Sequence, residues 1–390
     1  MKSQSPNWNK MSYESFIRPG EAIQPAIDRA SQQGGGKVSL LPGTHRTGTL
    51  YLKSNVELFL ACGAVLEGGH TEAEYDALPD PLFAECHTDA HNRALLSAAN
   101  AENIALTGYG VIEGNGPDFY EKKILPCGFY QRKQVERPRM LHFANCRNIR
   151  IENLHFHNSP RWTMWFIQCC DLVIRGVEIF GDPRMINNDG IHFFGGRNLM
   201  VSDCRISTGD DALVVRAGHA WHANTNRVIL EDLVVTNCVL ESACQAIRVG
   251  CPGDDLIRNC RFSNLVLKGK NGIFFDNPRR YWERELATPF RQSPHEVHHL
   301  AFSAITISVS GCPLAVSVEE GVEIGLLDNL LFSDLLLEGG EPLRFCGRSA
   351  LPLGRIVLND VRGTIYAPEP LLWRNVRLLS LNRVELVSAV

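Results

Sequence analysis

Apolar residues recur along this chain in one pattern, in which the apolar positions are separated by one, two and one other residues. Its copies begin at Ile104, Ile149, Leu172, Leu199, Val228, Cys260, Leu300 and Leu330, and weaker copies begin at Ile356 and Val376. Each half of the pattern alternates as in a short strand with one buried face. The additional residue between the halves predicts a corner, where two strands meet and direct their apolar side chains into the same interior.

The copies begin 20 to 45 residues apart, which is a period typical of solenoid proteins. The predicted strands are short, and no helical pattern lies between them, so a doubly wound α/β fold is excluded. The repeat therefore predicts an all-β fold, a parallel β-helix of about ten coils. Because the core of a solenoid is a continuous stack, residues 1–390 are expected to form a single domain.

An asparagine precedes six copies of the pattern, at positions 103, 148, 198, 259, 329 and 375. Asparagine tolerates the left-handed backbone conformation better than most residues do. Its recurrence at the same place predicts a tight bend in each coil.

One helix is predicted near the amino terminus, across residues 20–36. Ala22, Ile23, Ala26 and Ile27 have helical spacing, and glycines at 34–36 end the element. A helix at this place would cap the open end of the stack, where strand edges are otherwise exposed. Residues 1–19 are expected to be an N-terminal extension.

Two long segments between the repeats, 112–141 and 276–298, are rich in aromatic and basic residues. They are expected to be loops. They fit two descriptions, solvated insertions or the walls of a cleft.

Charge and composition narrow the function classes. The net charge is −4 with a pI of about 6.4, so a nucleic-acid partner is not expected. No apolar run approaches the roughly 20 residues of a membrane span, and residues 1–20 lack a secretory h-region. The 13 cysteines are scattered without a CxxC pair, which favours reduced thiols. These features predict a cytoplasmic protein.

The strongest chemical signal is a pair of acidic motifs, NNDGI at 187–191 and GDDAL at 209–213. We align the apolar residues that begin four strands, namely Ile191, Ala212, Ile247 and Ile273. The residues two positions earlier then form one column, namely Asp189, Asp210, Gln245 and Asn271. Residues one coil apart stack at about 4.7–4.9 Å, so Asp189 and Asp210 are expected to be neighbours. Asp211 joins them only if the chain bends, and Gly209 favours a bend.

Stacked carboxylates repel each other and raise at least one pKa. Such a cluster suits an acid and a base on either side of a glycosidic bond. Two alternatives stay open. An aspartate in a solenoid turn often accepts hydrogen bonds from the backbone, and acidic clusters can hold calcium.

From about residue 20 to about 340 the chain resembles glycoside hydrolase family 28, the polygalacturonase family. The resemblance includes residues 23–60, GYGVIEGNG at 108–116, and NSPRWTMWFIQCCDLVIRGVEI at 158–179. The family motifs Asn-Thr-Asp and Gly-Asp-Asp match 187–189 and 209–211. The resemblance implies a single-stranded right-handed parallel β-helix and hydrolysis with inversion. It further implies that Asp210 is the general acid, while Asp189 and Asp211 position and activate water.

The chain departs from the family at two motifs. Gly-His-Gly falls on 244–246, so that Gln245 replaces the histidine, and Arg-Ile-Lys falls on 274–276, where both cations are missing. In the family those cations bind the galacturonate carboxylate. Other polar residues on the same strands are the candidate substrate contacts, namely Gln245, Arg216, Arg248 and His192.

We therefore expect an inverting glycosidase that acts on imported pectin-derived or related oligosaccharides. An exo mode is expected, because two long loops can close one end of a groove. No cofactor and no metal ion is expected. The sugar, the linkage and the oligomeric state stay open. The alternatives are a glycosidase for a non-uronic sugar, a uronate lyase or epimerase, and a non-catalytic carbohydrate-binding β-helix.

Overall fold

The computed structural model of the protein describes residues 13–78, 92–218, 227–280, 283 and 295–389. It contains the helix α1 (Gln24–Gln32) and short 3₁₀ segments at Glu72–Glu74 and Gly116–Phe119. The strands of the first half are β1 (Tyr13–Ile17), β2 (Gly36–Leu40), β3 (Gly43–Arg46), β4 (Leu50–Tyr51), β5 (Val56–Leu60), β6 (Ala64–Glu67), β7 (Ala94–Ala99), β8 (Glu102–Gly108), β9 (Val111–Glu113), β10 (Tyr120–Ile124), β11 (Tyr130–Arg132), β12 (Arg139–Ala144), β13 (Arg147–Glu152), β14 (His155–His157) and β15 (Met164–Arg175). Those of the second half are β16 (Glu178–Phe180), β17 (Ile191–Ser202), β18 (Arg205–Thr208), β19 (Leu213–Arg216), β20 (Ile229–Val249), β21 (Leu256–Asn277), β22 (Glu296–Val309), β23 (Leu314–Val318), β24 (Leu326–Gly339), β25 (Leu343–Cys346), β26 (Leu353–Ile365), β27 (Leu371–Arg374) and β28 (Val376–Ser388).

The strands wind into a right-handed parallel β-helix, so the predicted fold class is confirmed. All of them except β10 and β11 belong to one continuous 26-stranded sheet, which has three faces. We call the face that begins with β1, β2 and β5 sheet A, and the face that begins with β3, β6 and β9 sheet B. Sheet C contains β4, β7, β12, the first parts of β15 and β17, β19, the last parts of β20 and β21, and then β23, β25 and β27.

The apolar pattern fills the interior of the coils. One cluster of buried side chains extends from Ile17 to Ala367. Within it Phe262, Phe302 and Phe332 occupy the second apolar position of three successive copies. Their rings are stacked, with centroids 4.4 Å and 5.2 Å apart. A side chain at a given pattern position is thus covered by its equivalents one coil before and after it, which is how a solenoid builds a core.

The predicted asparagine bends are present. All six asparagines have a left-handed backbone, with φ between 50° and 58°. Their side chains also pair along the stack, since Asn148 Nδ2 donates to Asn103 Oδ1 at 2.7 Å and Asn103 Nδ2 donates to Asn55 Oδ1 at 2.6 Å. Each amide therefore joins its bend to the preceding coil.

The amino-terminal elements differ from the prediction in extent. Helix α1 is shorter than the predicted span 20–36, because Gly34 and Gly35 take positive φ values directly after it. Its buried residues, Ala26, Ile27 and Ala30, join the core cluster. The predicted extension 1–19 includes strand β1, which pairs in parallel with β2. With only Ile17 fully buried, β1 lacks the apolar alternation that would have indicated a strand.

The two long segments are described to different extents. Segment 112–141 contains the antiparallel hairpin of β10 and β11. Most of segment 276–298 lies outside the described residues, as does 219–226. The cysteines that the structure describes form no disulfide. None of the helices in the described ranges combines the length and apolarity that a membrane span requires.

Candidate active site

The strand register brings two of the three predicted aspartates side by side, but the pair is not the predicted one. Ile191 pairs with Leu213, one residue later than the predicted alignment. Asp189 therefore lies beside Asp211 on the neighbouring coil, and not beside Asp210. The backbone hydrogen bonds agree, since Gly190 N–H donates to the carbonyl of Asp211 at 3.0 Å.

The same column continues into the next coils. Leu213 pairs with Ile247, and Ala212 N–H donates to the Gln245 carbonyl at 3.0 Å. Gln245 in turn pairs with Asn271. The column is thus Asp189, Asp211, Gln245 and Asn271, and the predicted place of Asp210 in it is wrong by one residue.

Asp210 lies in a bend just before the column, and it is the residue by which the predicted register was shifted. Gly209, which precedes it, had suggested such a bend. The buried amide of Asn188 holds this bend, because its Oδ1 accepts from the N–H groups of Gly209 and Asp210 at 2.7 and 3.1 Å. Its Nδ2 donates to the Asp182 carbonyl at 3.0 Å. The bend releases Asp210 and Asp211 from strand alternation, so both carboxylates belong to one site.

The Asp210 carboxylate is partly exposed and is oriented by short-range donors. Its Oδ2 accepts from the backbone N–H and the side-chain Nδ2 of Asn187, at 3.0 and 3.3 Å, and its Oδ1 accepts from Asp211 N–H at 3.1 Å. Asn187 has a left-handed backbone, with φ 62°, which aims these two donors at the same oxygen.

The other two carboxylates are buried and hold protons more strongly than usual. Asp189 and Asp211 are only 5% and 4% exposed. Burial raises the pKa of Asp189 well above its ordinary value, and the charges of Asp210 and Asp211 add to this. Burial and the Asp210 charge raise the pKa of Asp211 to about 7, although Arg248 and the Gln245 amide act in the opposite direction. Asp189 and Asp211 therefore hold their protons to a higher pH than ordinary carboxyl groups do.

Arg248 and Gln245 lie against this cluster. Arg248 Nη1 is 3.7 Å from Asp211 Oδ2, and Gln245 N–H donates to Asp211 Oδ1 at 3.1 Å. The buried Gln245 Oε1 and Asp189 Oδ1 have no hydrogen-bond partner among the described residues. Two acceptors without donors next to a cation mark a place where a polar ligand would be held.

His192 also reaches the site. Its Nδ1 is 3.9 Å from Asp189 Oδ2. It lies two strands before Arg248 in one column, as predicted, because both residues pair with Val214. Its ring packs against Trp162, with centroids 4.9 Å apart.

Trp162 belongs to a group of buried side chains on the outer face of sheet C, which we call the aromatic wall. Its members are Arg139, His142, Trp162, Trp165 and Phe194. The Arg139 guanidinium lies 4.0 Å from the Trp165 ring centroid. The wall was not predicted, although its signal was present, since Trp165 and His142 stand one and two coils before His192 in the same column.

Arg216 differs from the other predicted contacts. It is 7% exposed, and its guanidinium forms a bidentate ion pair with Asp254 at 2.7–2.9 Å. Such a pair is geometrically strong. Direct contact between Arg216 and a substrate stays a prediction, while the observed geometry gives Arg216 a role in fixing the segment around Asp254.

Segment 112–141 contributes a residue that sequence reasoning missed. Arg137 is buried, and its guanidinium donates to Asn187 Oδ1 at 2.9 Å, to the Ile186 carbonyl at 2.8 Å and to the Tyr120 hydroxyl at 2.6 Å. It thereby fixes the turn that holds Asp210. Nothing in the local pattern singles out this arginine, because its partners at Ile186 and Asn187 are 49 and 50 residues away in sequence.

One group in the site has the geometry of a metal site. The ligand atoms of Asp210, Asp211 and Cys244 lie within 4.8 Å of one another. Calcium prefers an all-oxygen shell, and a thiol is a soft ligand. The calcium alternative is therefore not favoured.

Comparison with known proteins identifies the family of the chain. The family model described as glycosyl hydrolases family 28 matches residues 69–348. The chain belongs to this family. A family member from Vitis vinifera named a probable polygalacturonase is 26% identical over 263 residues, covering 65% of this chain and 52% of the relative. The chain spans about half the length of such curated relatives.

Two solved structures share the fold of this family 28 chain. The exopolygalacturonase of Thermotoga maritima has a TM-score of 0.68 at 20% identity, covering 95% of this chain and 92% of that one. The family 28 exopolygalacturonase of Yersinia enterocolitica has a TM-score of 0.69 at 16% identity, covering 96% and 78%.

Proposed function

We propose that this family 28 chain is an inverting glycoside hydrolase of the polygalacturonase type. The observation that carries the proposal is the gathering of Asp189, Asp210 and Asp211 at one site, next to a cation and to acceptors without donors. Two carboxyl groups in different environments are the usual acid and base for cleaving a glycosidic bond.

The geometry supports different roles for the three acids. Asp210 is the most exposed of them, so it can reach the bridging oxygen of a bound glycoside. Its proton passes to that oxygen as the bond from the anomeric carbon to the leaving group breaks. A water molecule attacks the anomeric carbon from the opposite face and loses its proton to Asp189 or Asp211. Their raised pKa values make them stronger bases once they are ionised.

For the substrate we propose pectin-derived or related acidic oligosaccharides, with Arg248 as the partner of the sugar carboxylate. The family cations are missing at 274–276, but Arg248 pairs with Phe274 and so stands one coil before the lost arginine. An arginine binds a carboxylate through two parallel hydrogen bonds. We also propose that the enzyme acts in the cytoplasm on imported fragments, in line with its many cysteines.

An exo mode is supported by the aromatic wall. On the amino-terminal side of Asp189, the side chains on the outer face of sheet C are themselves buried, among them Trp162 and Trp165. A polymer cannot continue along a sheet face that is already covered. The substrate would then extend in one direction only, from a closed end beside His192.

The proposal is tested by screening defined acidic and neutral oligosaccharides with NMR detection that resolves the product anomers. The wild type should release a product of inverted configuration. Asp210→Asn should lower turnover by about 10²–10⁴-fold, since general acid catalysis contributes this much, while binding of the oligosaccharide survives. Asn keeps the hydrogen bond from Asn187 and removes the transferable proton.

Three results would point elsewhere. An unsaturated product with ultraviolet absorbance would indicate a lyase. Equal properties of the wild type and Asp210→Asn, with binding but no turnover, would indicate a non-catalytic carbohydrate-binding β-helix. Turnover of neutral glycosides alone would keep the acid-base roles and reject the carboxylate partner.

A further inference from the structure

The last described coil of the solenoid, formed by β27 and β28, leaves one end of the stack open. Among the described strands, β27 is paired with β25 alone and β28 with β26 alone. One edge of each strand therefore presents backbone N–H and C=O groups that are free to pair with a further strand. At the amino-terminal end, by contrast, α1 packs into the core cluster. We call the open side of the last coil the end face.

The interior side chains of this coil are apolar and yet exposed. In the preceding coil, Phe345 and Leu358 are fully buried. Their register partners in the last coil are Trp373 and Leu381, which are 59% and 45% exposed. The end face is thus a section through a core whose next layer is missing, whereas solenoids usually end in a polar capping repeat. Its interior positions are Leu371, Trp373, Leu379, Leu381, Val384 and Leu386.

Strand β28 also carries apolar side chains on its outer surface. Leu378 and Val387 are 48% and 61% exposed, and both alternate with the interior positions. The strand bends at Arg383, where φ is 50°. It therefore has two arms, 376–381 in sheet A and 384–388 in sheet B.

The two arms of β28 are complementary to each other in antiparallel orientation. If a second copy is turned about a two-fold axis through the bend, the sheet A arm of each copy lies beside the sheet B arm of the other. The facing residues are then apolar in the interior and on the outer surface, namely Leu379 with Leu386, Leu381 with Val384, and Leu378 with Val387. A register shifted by two residues would place Leu378 against Glu385, or Val387 against Ser380. The sequence therefore favours the register in which bend meets bend.

The charges of β28 are compatible with this register. Glu385 faces Ser380 of the second copy, and Arg383 faces Asn382 of the second copy. Serine and asparagine side chains can form hydrogen bonds with these charged groups. Arg383 is also paired with Asp360 of the preceding coil. No two like charges of β28 stand directly opposite each other, an arrangement that would be destabilising.

We propose that the end face binds a second copy of this chain, through antiparallel pairing of β28 with β28. The contact uses the same surface in both copies, so it closes as a dimer and covers both open edges. β28 supplies 13 residues and β27 four. This is close to the lower end of the roughly 20–30 residues a side that form an interface of standard size.

The test is analytical ultracentrifugation of the full chain over a range of concentrations. The wild type should sediment with twice the chain mass of 43.4 kDa and should dissociate on dilution. Leu378→Lys/Val387→Lys places like charges opposite each other twice in the dimer, so it should raise the dissociation constant at least about 100-fold. Leu378→Lys/Val387→Glu changes the same two positions but places opposite charges there, so it should remain a dimer.

Two controls accompany these variants. Both substituted side chains are exposed in the single chain, and circular dichroism should show that the variants are folded. Leu336→Lys is the matched surface control, because Leu336 is 54% exposed on β24, two coils earlier. It should dimerise as the wild type does.

A cysteine cross-link tests the register directly. Leu378→Cys/Val387→Cys should give a covalent dimer under mild oxidation, because these positions face each other across the axis. Leu378→Cys/Glu385→Cys should give no more covalent dimer than the wild type, whose exposed Cys62 and Cys127 set the background.

Several results would overturn the proposal. A wild type that is monomeric at every concentration would leave the end face to a different protein. A dimer that persists in Leu378→Lys/Val387→Lys would place the contact elsewhere on the molecule. Monomers in both charge variants, with no covalent dimer from the facing cysteines, would reject the register. Open-ended growth of the wild type into larger species would reject the two-fold closure.

The dimer and the proposed hydrolase can fail separately. In sheet C, β27 lies three coils beyond β21, which carries the last member of the column of the candidate site, Asn271. Leu378→Lys/Val387→Lys should therefore keep the kcat/KM of the wild type on any oligosaccharide that the wild type cleaves. The mass measurement needs no substrate, so it gives its answer whether or not hydrolysis is found.

Discussion

At the scale of single residues, the burial of two acids beside a third has a consequence for stability. The pKa of Asp211 is raised from an ordinary 3.8 to about 7. Between these values the folded protein keeps a proton that the unfolded chain has lost. The stability that the folded protein has with Asp211 protonated is therefore fully present below about pH 4 and is lost as the pH rises through 7.

Asp211→Asn should remove this dependence. At pH 8 the variant should be more stable than the wild type by on the order of 2–4 kcal/mol, since one unit of pKa corresponds to 1.36 kcal/mol. At pH 4 the difference should shrink. Denaturant unfolding at both pH values measures it, and Asp203→Asn, at an exposed position, is the control. A difference that does not change with pH would contradict the raised pKa.

Arg248 gives a second prediction at this scale. Arg248→Ala should lower kcat/KM for acidic oligosaccharides by about 10–100-fold, the loss expected for one charge-assisted hydrogen-bond partner. The kcat/KM for neutral oligosaccharides should fall less. These substrates carry no carboxylate, so the variant affects them only through the lost cation beside Asp211. Arg248→Lys should recover part of the activity on acidic substrates.

The comparison uses Arg205→Ala, an exposed arginine on sheet B, as the control. Equal losses on acidic and neutral substrates would assign Arg248 to the electrostatics of the acids and not to the substrate.

The three aspartates could be recognised from sequence, but their arrangement could not. Strand alternation counts residues in steps of two, and a bend adds one residue without any change in the apolar pattern. The prediction therefore paired Asp189 with Asp210. Asn188 and Arg137, which hold the bend, act through contacts distant in sequence, and a single chain carries no signal for such contacts.

At the scale of elements, the asparagine bends are testable one at a time. Asn148 combines a left-handed backbone, with φ 53°, and a side-chain hydrogen bond to Asn103. Asn148→Ala should destabilise the protein by about 2 kcal/mol, because it adds left-handed strain of 1–2 kcal/mol and removes the bond. Asn148→Gly should cost only about 1 kcal/mol, since glycine accepts this backbone.

The order of the two variants is the decisive observation, and denaturant unfolding measures it. If Gly were as damaging as Ala, the side-chain amide and not the backbone would account for the choice of asparagine.

Elements were predictable where the repeat is strong and not where it is weak. Seven of the eight clear copies correspond to strands of sheets A and B, because a buried period-2 face is visible in sequence. The copy that begins at Val228 is out of phase, since its second half, Leu233 and Val235, pairs with the first half of the preceding copy in sheet A. Strand β1 has one fully buried residue, so its pairing with β2 had no sequence signal. The aromatic wall is built by side chains on the outer face of sheet C, and the repeat describes only the inner face.

At the scale of the whole molecule, the architecture decides how a chain-like substrate can approach. Sheet C forms one side of the solenoid, and Asp189 and Asp211 lie where its strands begin. Towards the amino terminus the aromatic wall covers this side, while hairpin β10–β11 and Arg137 attach to the turn at 186–187. In the proposed exo mode these elements, which come from distant parts of the chain, close one end of the site.

A closed end predicts that products leave one terminal unit at a time. An oligosaccharide cleaved in the screen is prepared with a bulky group at one end or at the other. Blocking the end that must reach the wall should abolish hydrolysis, because the wall leaves no room beyond His192 and Asp189. Blocking the opposite end should leave the initial rate equal to that of the unblocked oligosaccharide of the same length. Internal cleavage of both blocked substrates would show that the groove is open past the wall and would reject the exo mode, while the assignment of Asp210 as the acid would be untouched.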